Sequence, residues 1–336
     1  MIINNDLSTV DFFYKNILIT GGAGFIGSNY INHLLNNYSN LNIINIDRLD
    51  YCSDTTNIIY NDNNTSNNKY FFYKYDICDF NNILNILIKH NIELIVHFAA
   101  QSHVDNSFCN SVQFTKDNIL GTNYLLEACR CYGQIKKFIH FSTDEVYGQI
   151  KNTDDGCNEE YLLNPTNPYA ASKAGAEFIV KSYYYSWKLP IIITRCNNAY
   201  GPNQYPEKLI PKFIKLLLNN QQCTIHGNGS NLRTFIHTDD ISRAVDIIIK
   251  KGEINEIYNI GSKHEYSVMD IFNILVKNLK QNDDPNKWMK FVEDRNFNDS
   301  RYFVKIDKLN YLGWNEIIEF NKGILSTIDY YKNKFK

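Results

Sequence analysis

The sequence has no run rich in lysine or arginine, and its formal net charge is only −2. Proteins that bind nucleic acids through phosphates usually carry a basic patch, so the composition predicts no nucleic-acid partner. Apolar runs such as residues 93–100 are also much shorter than the roughly 20 residues that a membrane helix needs. We therefore expect neither a nucleic acid nor a membrane as a partner.

The eight cysteines include no Cys-x-x-Cys pair, although Cys129 and Cys131 are separated by a single residue. No segment at the start has the basic and then apolar composition of a secretory signal peptide. Free thiols in a reducing compartment fit this pattern best, so we expect a cytoplasmic protein.

His103 has no partner at metal-ligand spacing, which favours a local hydrogen bond over a metal site.

What the sequence does contain is a regular alternation of strand-like and helix-like segments. Short apolar runs rich in β-branched or aromatic residues predict strands, and longer segments with one apolar face predict helices. Such alternation predicts an α/β fold with a doubly wound parallel sheet and right-handed crossovers. The predicted strands are residues 16–20, 41–46, 70–75, 93–98, 137–141, 190–194 and 257–261, and the main predicted helices are residues 81–90, 114–132, 169–187 and 239–250.

A glycine-rich loop joins the first predicted strand to its helix, with Gly21, Gly24 and Gly27 in the pattern Gly-x-x-Gly-x-x-Gly. Because glycine has no Cβ, a pyrophosphate can approach the free N–H groups at the helix N-terminus. Asp47 follows the second strand, where a carboxylate would bind the adenosine ribose hydroxyls and repel a 2′-phosphate. We therefore predict NAD as the cofactor rather than NADP, although the neighbouring Arg48 could accommodate that phosphate.

Residues 141–173 concentrate the side chains that could carry chemistry. The predicted strand at residues 137–141 places Thr143, Asp144 and Glu145 at its carboxyl end, the edge where open α/β sheets bind ligands. Tyr169 and Lys173 are four residues apart at the start of a predicted helix, so they share one face of its first turn. A hydroxyl, two carboxylates, a phenol and an ammonium are suited to a redox reaction coupled to an elimination.

The charges around Tyr169 suggest its role. A free phenol has a pKa of roughly 10, which is too high for a base at neutral pH. We expect the ammonium of Lys173 and a positively charged nicotinamide ring to lower the pKa of Tyr169. Tyr169 would then accept a proton from a sugar hydroxyl. An isolated Tyr-x-x-x-Lys is more often a surface pair, and the upstream glycine loop is what favours the catalytic interpretation.

The second half of the chain predicts a smaller, mixed α/β domain that binds the substrate. We expect residues 222–233 to be rich in turns and residues 295–302 to close over the substrate, with Lys208, Arg233 and Arg295 able to clamp a diphosphate. The predicted division assigns residues 1–196 and 234–262 to a Rossmann-type NAD-binding domain. Residues 197–233 and 263–336 form the substrate-binding domain. The start of the chain (residues 1–15) and the polar stretch 61–68 are interpreted as an extension and an insertion.

These motifs resemble the extended short-chain dehydrogenase/reductases, and specifically the nucleoside-diphosphate-glucose 4,6-dehydratases, over almost the whole chain from Ile17 to Tyr331. The matching segments are 20–27 (TGGAGFIG), 99–105 (AAQSHVD), 142–148 (STDEVYG), 169–173 (Tyr-x-x-x-Lys), 197–202 (NNAYGP) and 206–211 (PEKLIP). Four further segments are most similar to the dehydratase domain of plant-type UDP-rhamnose synthases, namely 49–53 (LDYCS), 105–108 (DNSF), 174–177 (AGAE) and 297–302 (FNDSRY). Asp117 departs from the threonine that many dTDP-glucose members carry near the cofactor.

The resemblance implies a mechanism for a nucleotide-linked glucose. Tyr169 would remove the proton of the carbon 4 hydroxyl while hydride passes to NAD, with Thr143 bound to that oxygen and Lys173 holding the tyrosinate. Glu145 would then remove the carbon 5 proton, Asp144 would protonate the departing carbon 6 hydroxyl, and the hydride would return to carbon 6.

The resemblance and the loop positions together give two sets of contact residues. Those expected to bind NAD are Gly21, Gly24, Phe25, Ile26, Gly27, Asp47, Asp76, Ile77, Ala99, Ala100, Ser102, Asn118, Tyr169, Lys173 and Asn198. Those expected to bind the substrate are Ser102, Thr143, Asn198, Glu207, Lys208, Arg233, Asn259, Arg295 and Tyr302.

The resemblance favours UDP-glucose as the substrate, a homodimer, and a separate epimerase/reductase that would complete a rhamnose pathway. dTDP-glucose stays an alternative, since uracil and thymine differ by one methyl group, worth only about 1–3 kcal/mol. A sugar-nucleotide 4-epimerase would share the glycine loop, Tyr169 and Lys173, but it has no need of Asp144 and Glu145. A non-enzymatic module that binds nucleotide sugar or NAD is the remaining alternative.

Overall fold

The computed structural model describes residues 12–61, 66–151, 153–281, 283–294 and 299–335. Within these ranges the strands are β1 (Asn16–Thr20), β2 (Asn42–Ile46), β3 (Lys69–Tyr73), β4 (Leu94–His97), β5 (Lys137–Thr143), β6 (Ile191–Cys196), β7 (Asn198–Tyr200), β8 (Cys223–His226), β9 (Leu232–His237), β10 (Ile257–Ile260), β11 (Glu265–Ser267) and β12 (Met289–Val292). The α-helices are α1 (Phe25–Asn37), α2 (Phe80–His90), α3 (Val104–Cys109), α4 (Ser111–Phe114), α5 (Gly121–Tyr132), α6 (Pro168–Trp187), α7 (Leu209–Leu218), α8 (Thr238–Lys251), α9 (Val268–Leu279), α10 (Asp307–Tyr311) and α11 (Phe320–Lys334).

Seven parallel strands form the main sheet, in the order β10-β6-β5-β4-β1-β2-β3. In β1, Ile17 and Ile19 pack on one side of the sheet and Leu18 packs on the other. Each is fully buried, as expected for a strand covered by helices on both faces. The predicted doubly wound parallel fold is confirmed.

The strand order reverses between β1 and β4, because the chain adds β2 and β3 on one side of β1 and then crosses to the other. In such sheets a crevice opens at the carboxyl ends of the strands that flank the reversal. β1 and β4 therefore place the glycine loop beside the loop that follows His97. No helix among the described residues is both long and apolar enough to span a membrane.

A second lobe is built from two small sheets. β7, β9 and β11 form one of them, and β8 and β12 form the other. A separate apolar core, which includes Phe213, Phe272 and Ile324, joins these sheets to α7, α9 and α11. The structure thus contains the smaller mixed α/β part that the sequence predicted.

Two local predictions need correction. Residues 222–233 contain β8 and the start of β9 in addition to turns, because β8 pairs in register with the distant β12. The helix predicted over residues 114–132 contains a π-helical stretch, Thr115–Leu120, between α4 and α5. The exact division into two domains stays a prediction. It assigns residues 234–262 to the NAD-binding domain. β10 in this range joins the main sheet, whereas β9 pairs with β7 and β11 in the second lobe.

Candidate active site

A cavity of about 480 Å³ lies at the carboxyl ends of the main sheet, between the sheet and the second lobe. Its walls come from the glycine loop, the loops after β2, β3 and β4, the end of β5, the start of α6, and the second lobe. Members of both ligand sets expected from the sequence therefore share one continuous surface.

The glycine loop forms one end of the cavity, where Gly21, Gly24 and Gly27 all line the wall. Gly21 has a φ of +70°, and a Cβ there would lie 2.6 Å from the backbone nitrogen of Ala99. A Cβ on Gly27 would collide with the Gly21 carbonyl oxygen. Because the glycine loop has no side chains at these positions, its backbone packs closely and the N-terminus of α1 stays open to the cavity. The free N–H groups of a helix N-terminus suit a pyrophosphate. Phe25 and Ile26 also line this wall.

Asp47 lies at the end of β2 and lines the cavity. Its two carboxylate oxygens accept hydrogen bonds from the backbone N–H groups of Ala23 (3.1 Å) and Leu49 (2.8 Å), which fix its orientation. Burial raises the pKa of Asp47 from its ordinary value, and these hydrogen bonds oppose the rise. A carboxylate held in this position fits the ribose of NAD.

The remaining residues expected at NAD divide into two groups. Asp76, Ile77, Ala99, Ala100 and Ser102 line the cavity. Asn118 does not, because its amide is used within the protein. It accepts a hydrogen bond from the Gln101 N–H (2.8 Å), and it donates to the Gln101 carbonyl (3.0 Å) and to the Ser172 hydroxyl (2.8 Å). Asn118 is therefore corrected from a cofactor contact to a support for the loop that follows β4.

Four of the five expected catalytic residues line the cavity, namely Thr143, Glu145, Tyr169 and Lys173. β5 ends at Thr143, and α6 begins directly before Tyr169. Asn167 connects the two elements, because its Oδ1 caps α6 at the Ala170 N–H (2.8 Å) while its Nδ2 donates to Glu145 Oε2 (3.2 Å). The helix cap thereby also orients the expected base.

Asp144, the fifth catalytic residue, is only 3% exposed and lies behind the cavity wall. Its carboxylate accepts hydrogen bonds from the Thr143 hydroxyl (3.3 Å) and from Asn197 Nδ2 (2.6 Å), two residues that do line the cavity. Burial, followed by the neighbouring Glu145 charge, raises the pKa of Asp144 to about 7. Asp144 can therefore hold a proton at neutral pH, as a general acid must.

The expected effect of Lys173 on Tyr169 needs correction. Lys173 Nζ donates to the Phe141 carbonyl oxygen at 2.7 Å, and burial lowers the pKa of Lys173 to about 8. In the protein alone, burial and then the Glu145 charge raise the pKa of Tyr169 above its ordinary value, and the nearby Thr143 hydroxyl opposes the rise. A buried site beside a carboxylate disfavours the phenolate, and Lys173 does not reverse this by itself.

The residues expected to bind the substrate also divide. Asn198, Glu207, Lys208, Arg233 and Tyr302 line the cavity together with Ser102 and Thr143. The Arg233 guanidinium lies 4.7 Å from the centre of the Tyr302 ring, so the two side chains form one wall. Glu207 accepts hydrogen bonds from the Tyr51 hydroxyl at 2.9 and 3.0 Å, and Lys208 Nζ donates to the Ser102 carbonyl oxygen at 2.7 Å.

Two members of the substrate set are not at the cavity. Asn259 is fully buried, and its amide donates to the carbonyl oxygens of Cys157 (3.1 Å) and Lys305 (3.0 Å) and accepts from the Tyr147 hydroxyl (2.8 Å). Its side chain is bound within the protein and does not line the cavity, so the structure does not support its assignment as a substrate contact. Arg295 lies outside the described residues.

Sequence reasoning missed several residues of the wall. The sequence places Asn197 at the same sheet edge as Asn198 but assigns it no role, and Tyr51 is predicted only as part of the segment 49–53. Asn167 carried a local signal, since Asn before Pro at the start of a helix is a typical N-cap. Its bond to Glu145 spans 22 residues and depends on the fold.

The chain matches the family model described as GDP-mannose 4,6 dehydratase over residues 18–327. It is 47% identical to a dTDP-D-glucose 4,6-dehydratase of Dictyostelium discoideum, an alignment that covers 96% of this chain and 83% of that protein. It is 49% identical to a trifunctional protein of Arabidopsis thaliana that has UDP-glucose 4,6-dehydratase, UDP-4-keto-6-deoxy-D-glucose 3,5-epimerase and UDP-4-keto-L-rhamnose-reductase activities. That alignment covers 94% of this chain and 47% of the plant protein, so the chain spans about half of its length.

The structure also superimposes on DesIV, a dTDP-glucose 4,6-dehydratase of Streptomyces venezuelae solved with NAD and TYD bound. The TM-score is 0.89 at 35% identity, with 95% of this chain and 97% of DesIV covered. The NAD in DesIV agrees with the fit of the glycine loop and Asp47 described above, so the predicted cofactor is confirmed.

Proposed function

Since the chain belongs to the GDP-mannose 4,6 dehydratase family, we propose that it converts UDP-glucose to UDP-4-keto-6-deoxyglucose, the first step of UDP-rhamnose synthesis. Its coarser class, an NAD-dependent nucleotide-sugar 4,6-dehydratase, follows from the similarities over nearly the whole chain. The enzyme is thus a hydro-lyase of nucleotide-sugar metabolism. The nucleotide and the role of each residue are the proposed parts.

One observation supports the proposed reaction best. A single cavity combines Tyr169 and Thr143, which suit an oxidation, with Glu145, which suits an elimination, and Asp144 lies directly behind the same wall. A 4-epimerase needs the first pair and has no use for a base and an acid that remove water. A buried Asp144 beside the partly buried Glu145 is energetically costly, so the presence of both carboxylates at this site favours a function for them.

In the proposed oxidation, the Thr143 hydroxyl hydrogen-bonds the carbon 4 oxygen and Tyr169 accepts the proton of that hydroxyl. Bound NAD supplies an acceptor for the hydride that leaves carbon 4 and a donor that returns it to carbon 6. Lys173 lies one helical turn from Tyr169 and keeps the backbone at Phe141 in place through its 2.7 Å hydrogen bond. The Tyr169 phenolate must form against the effect of burial, so we propose that the positive charge of the bound cofactor stabilises it.

In the proposed elimination, Glu145 removes the proton on carbon 5, which the new carbonyl at carbon 4 has made acidic. Burial raises the pKa of Glu145 above its ordinary value, which strengthens it as a base. Asp144 supplies the proton to the departing carbon 6 hydroxyl. Its carboxyl must reach the cavity between Thr143 and Asn197, its two hydrogen-bonding neighbours in the wall.

The plant protein named above supports UDP-glucose, because its name includes UDP-glucose 4,6-dehydratase and it is 49% identical to this chain. The Dictyostelium discoideum protein, at 47% identity over more of its own length, supports dTDP-glucose as the second candidate. Steady-state kinetics with each sugar nucleotide decide between them. We expect a higher kcat/KM for UDP-glucose, and a higher value for dTDP-glucose would reject the proposed nucleotide.

We also propose a homodimer formed by α5 and α6, which pack against each other. Exposed large apolar side chains on these two helices support it, namely Tyr124, Phe178, Tyr185 and Trp187. Light scattering should give the mass of two chains, and Phe178→Glu should shift the measured mass towards that of one chain.

An epimerase/reductase activity must follow if the product is to become UDP-rhamnose, and we propose that another protein supplies it in the cytoplasm.

A further inference from the structure

Arg48 immediately follows Asp47, at the position from which an arginine can bind the 2′-phosphate of NADP. In this structure its guanidinium is held by carboxylates. Both terminal nitrogens donate to Asp117, Nη1 to Oδ1 at 2.9 Å and Nη2 to Oδ2 at 2.6 Å. Nη2 also donates to Asp50 (2.8 Å), and Nη1 donates to Asp76 (3.1 Å).

Asp117 is the buried member of this cluster, since its side chain is 6% exposed whereas those of Asp50 and Asp76 are 37% and 39% exposed. It lies in the π-helical stretch Thr115–Leu120, whose inward-facing residues are buried. Two side-chain amides fix it further. Gln113 Nε2 donates to its Oδ1 at 2.7 Å, and Gln101 Nε2 donates to its Oδ2 at 3.2 Å.

The cluster belongs to the cavity wall at the end where Asp47 fits the ribose, and Arg48, Asp50, Asp76 and Asp117 all line it. Three carboxylates therefore bind one guanidinium, and a fourth, Asp47, lines the same cavity. A bidentate Arg–carboxylate pair satisfies the same planar donors that a phosphate would use. A 2′-phosphate would therefore meet an excess of negative charge and an arginine whose Nη1 and Nη2 donors are already bound to carboxylates.

We propose that Asp117 is a cofactor-specificity residue, which holds Arg48 in a bidentate pair and so excludes the 2′-phosphate of NADP. Asp47 favours NAD by binding the ribose hydroxyls. Asp117 acts against NADP, because it prevents Arg48 from binding the 2′-phosphate. The inference concerns the cofactor alone and holds for either sugar nucleotide.

Cofactor exchange in the full chain tests this inference without measuring turnover. The purified protein is equilibrated with equal concentrations of NAD and NADP, starting from either bound form, and the bound nucleotides are released and quantified by mass spectrometry. We expect the wild-type chain to retain almost entirely NAD. Asp117→Asn keeps the shape and removes the charge, and it should raise the bound NADP-to-NAD ratio by about tenfold or more.

A double variant identifies Arg48 as the group that is released, and two single variants provide comparisons. In the double variant Asp117→Asn/Arg48→Ala the ratio should return towards the wild-type value, because the freed guanidinium is gone. Asp50→Asn, at the exposed edge of the cluster, should shift the ratio in the same direction as Asp117→Asn but less. Asp329→Asn is the matched control for net charge, since Asp329 is exposed on α11, and it should leave the ratio unchanged.

The result that overturns the inference is also specific. A folded Asp117→Asn protein with the wild-type ratio would show that Asp117 does not control selection. An equal rise in the single and double variants would show that lost negative charge acts without Arg48. If Asp117→Asn does not fold, an unchanged ratio in the Asp50→Asn protein would reject the cluster as a determinant of selectivity.

Discussion

Asn197 donates a hydrogen bond from its Nδ2 to Oδ2 of Asp144 across 2.6 Å, and both side chains are almost completely buried. Within the described residues the Oδ1 of Asn197 has no hydrogen-bond partner. A Cβ at Gly261 would collide with that oxygen, so the glycine leaves the space that Asn197 needs. The proposed acid is therefore oriented by an amide from the end of β6, on the neighbouring strand.

The Asn197 bond lowers the pKa of Asp144 and opposes the larger effect of burial. Asn197→Ala should therefore raise the pKa of Asp144, so that the acid keeps its proton to higher pH. We expect the alkaline limb of the kcat–pH profile, near about pH 7 in the wild type, to move up by about one unit while kcat falls. Asn197→Ser, whose hydroxyl can still donate, should give an intermediate profile. A fall in kcat with an unmoved limb would indicate a purely structural role.

The raised pKa of Asp144 also predicts a cost in stability. Its pKa is about 7 in the folded chain and roughly 3.9 when unfolded, so between these values only the folded state binds the proton. Stability is therefore lost as pH rises through this window, by roughly 2–4 kcal/mol. Asp144→Asn should be more stabilising at about pH 8 than at about pH 5 in urea unfolding. Equal effects at the two pH values would contradict the assigned pKa.

Glu145→Gln should separate the two halves of the reaction. Without the base, water loss should fall by about 10²–10⁴-fold. Oxidation at carbon 4 should continue, so reduced nicotinamide accumulates on the enzyme and its near-ultraviolet absorbance rises when substrate is added. Glu160→Gln, an exposed glutamate nearby in the chain, serves as the control and should behave as wild type. Unchanged turnover of Glu145→Gln would remove Glu145 from the role of base.

Tyr169→Phe should stop the reaction one step earlier. The phenyl ring preserves the packing and removes the proton acceptor, so we expect about 10²–10⁴-fold slower oxidation and no accumulation of reduced nicotinamide. Tyr184→Phe, on the same helix, is the matched control and should retain activity. If Tyr169→Phe still reduced the cofactor at the wild-type rate, the proton acceptor would be another group.

The parts of the fold that sequence predicted well are those determined by local patterns. β1 and β5 are short, buried runs of β-branched and aromatic residues, and the glycine spacing from Gly21 to Gly27 marks the start of α1. The register between β8 and β12 could not be predicted in this way. Its partners, such as Cys223 and Met289, are far apart in the chain and have no matching local signal.

The same limit applies to the site. Thr143, Glu145, Tyr169 and Lys173 could be placed together because a strand end and a helix start supply them within 31 residues. The roles of Asn118 and Asn259 could not, because a buried amide is used by whichever polar groups the fold brings to it. The raised pKa of Tyr169 in the protein alone could not be predicted for a related reason, since sequence spacing gives the neighbouring charge of Lys173 and not the larger effect of burial.

In the proposed reaction, a hydride moves from carbon 4 to carbon 6 within one cavity while water is removed. The most direct test is to incubate the purified enzyme with UDP-glucose deuterated at carbon 4 and to analyse the product by mass spectrometry and NMR. We predict a product that is lighter by one water and carries the deuterium at carbon 6. A product of unchanged mass, or one that has lost water without deuterium at carbon 6, would contradict this account.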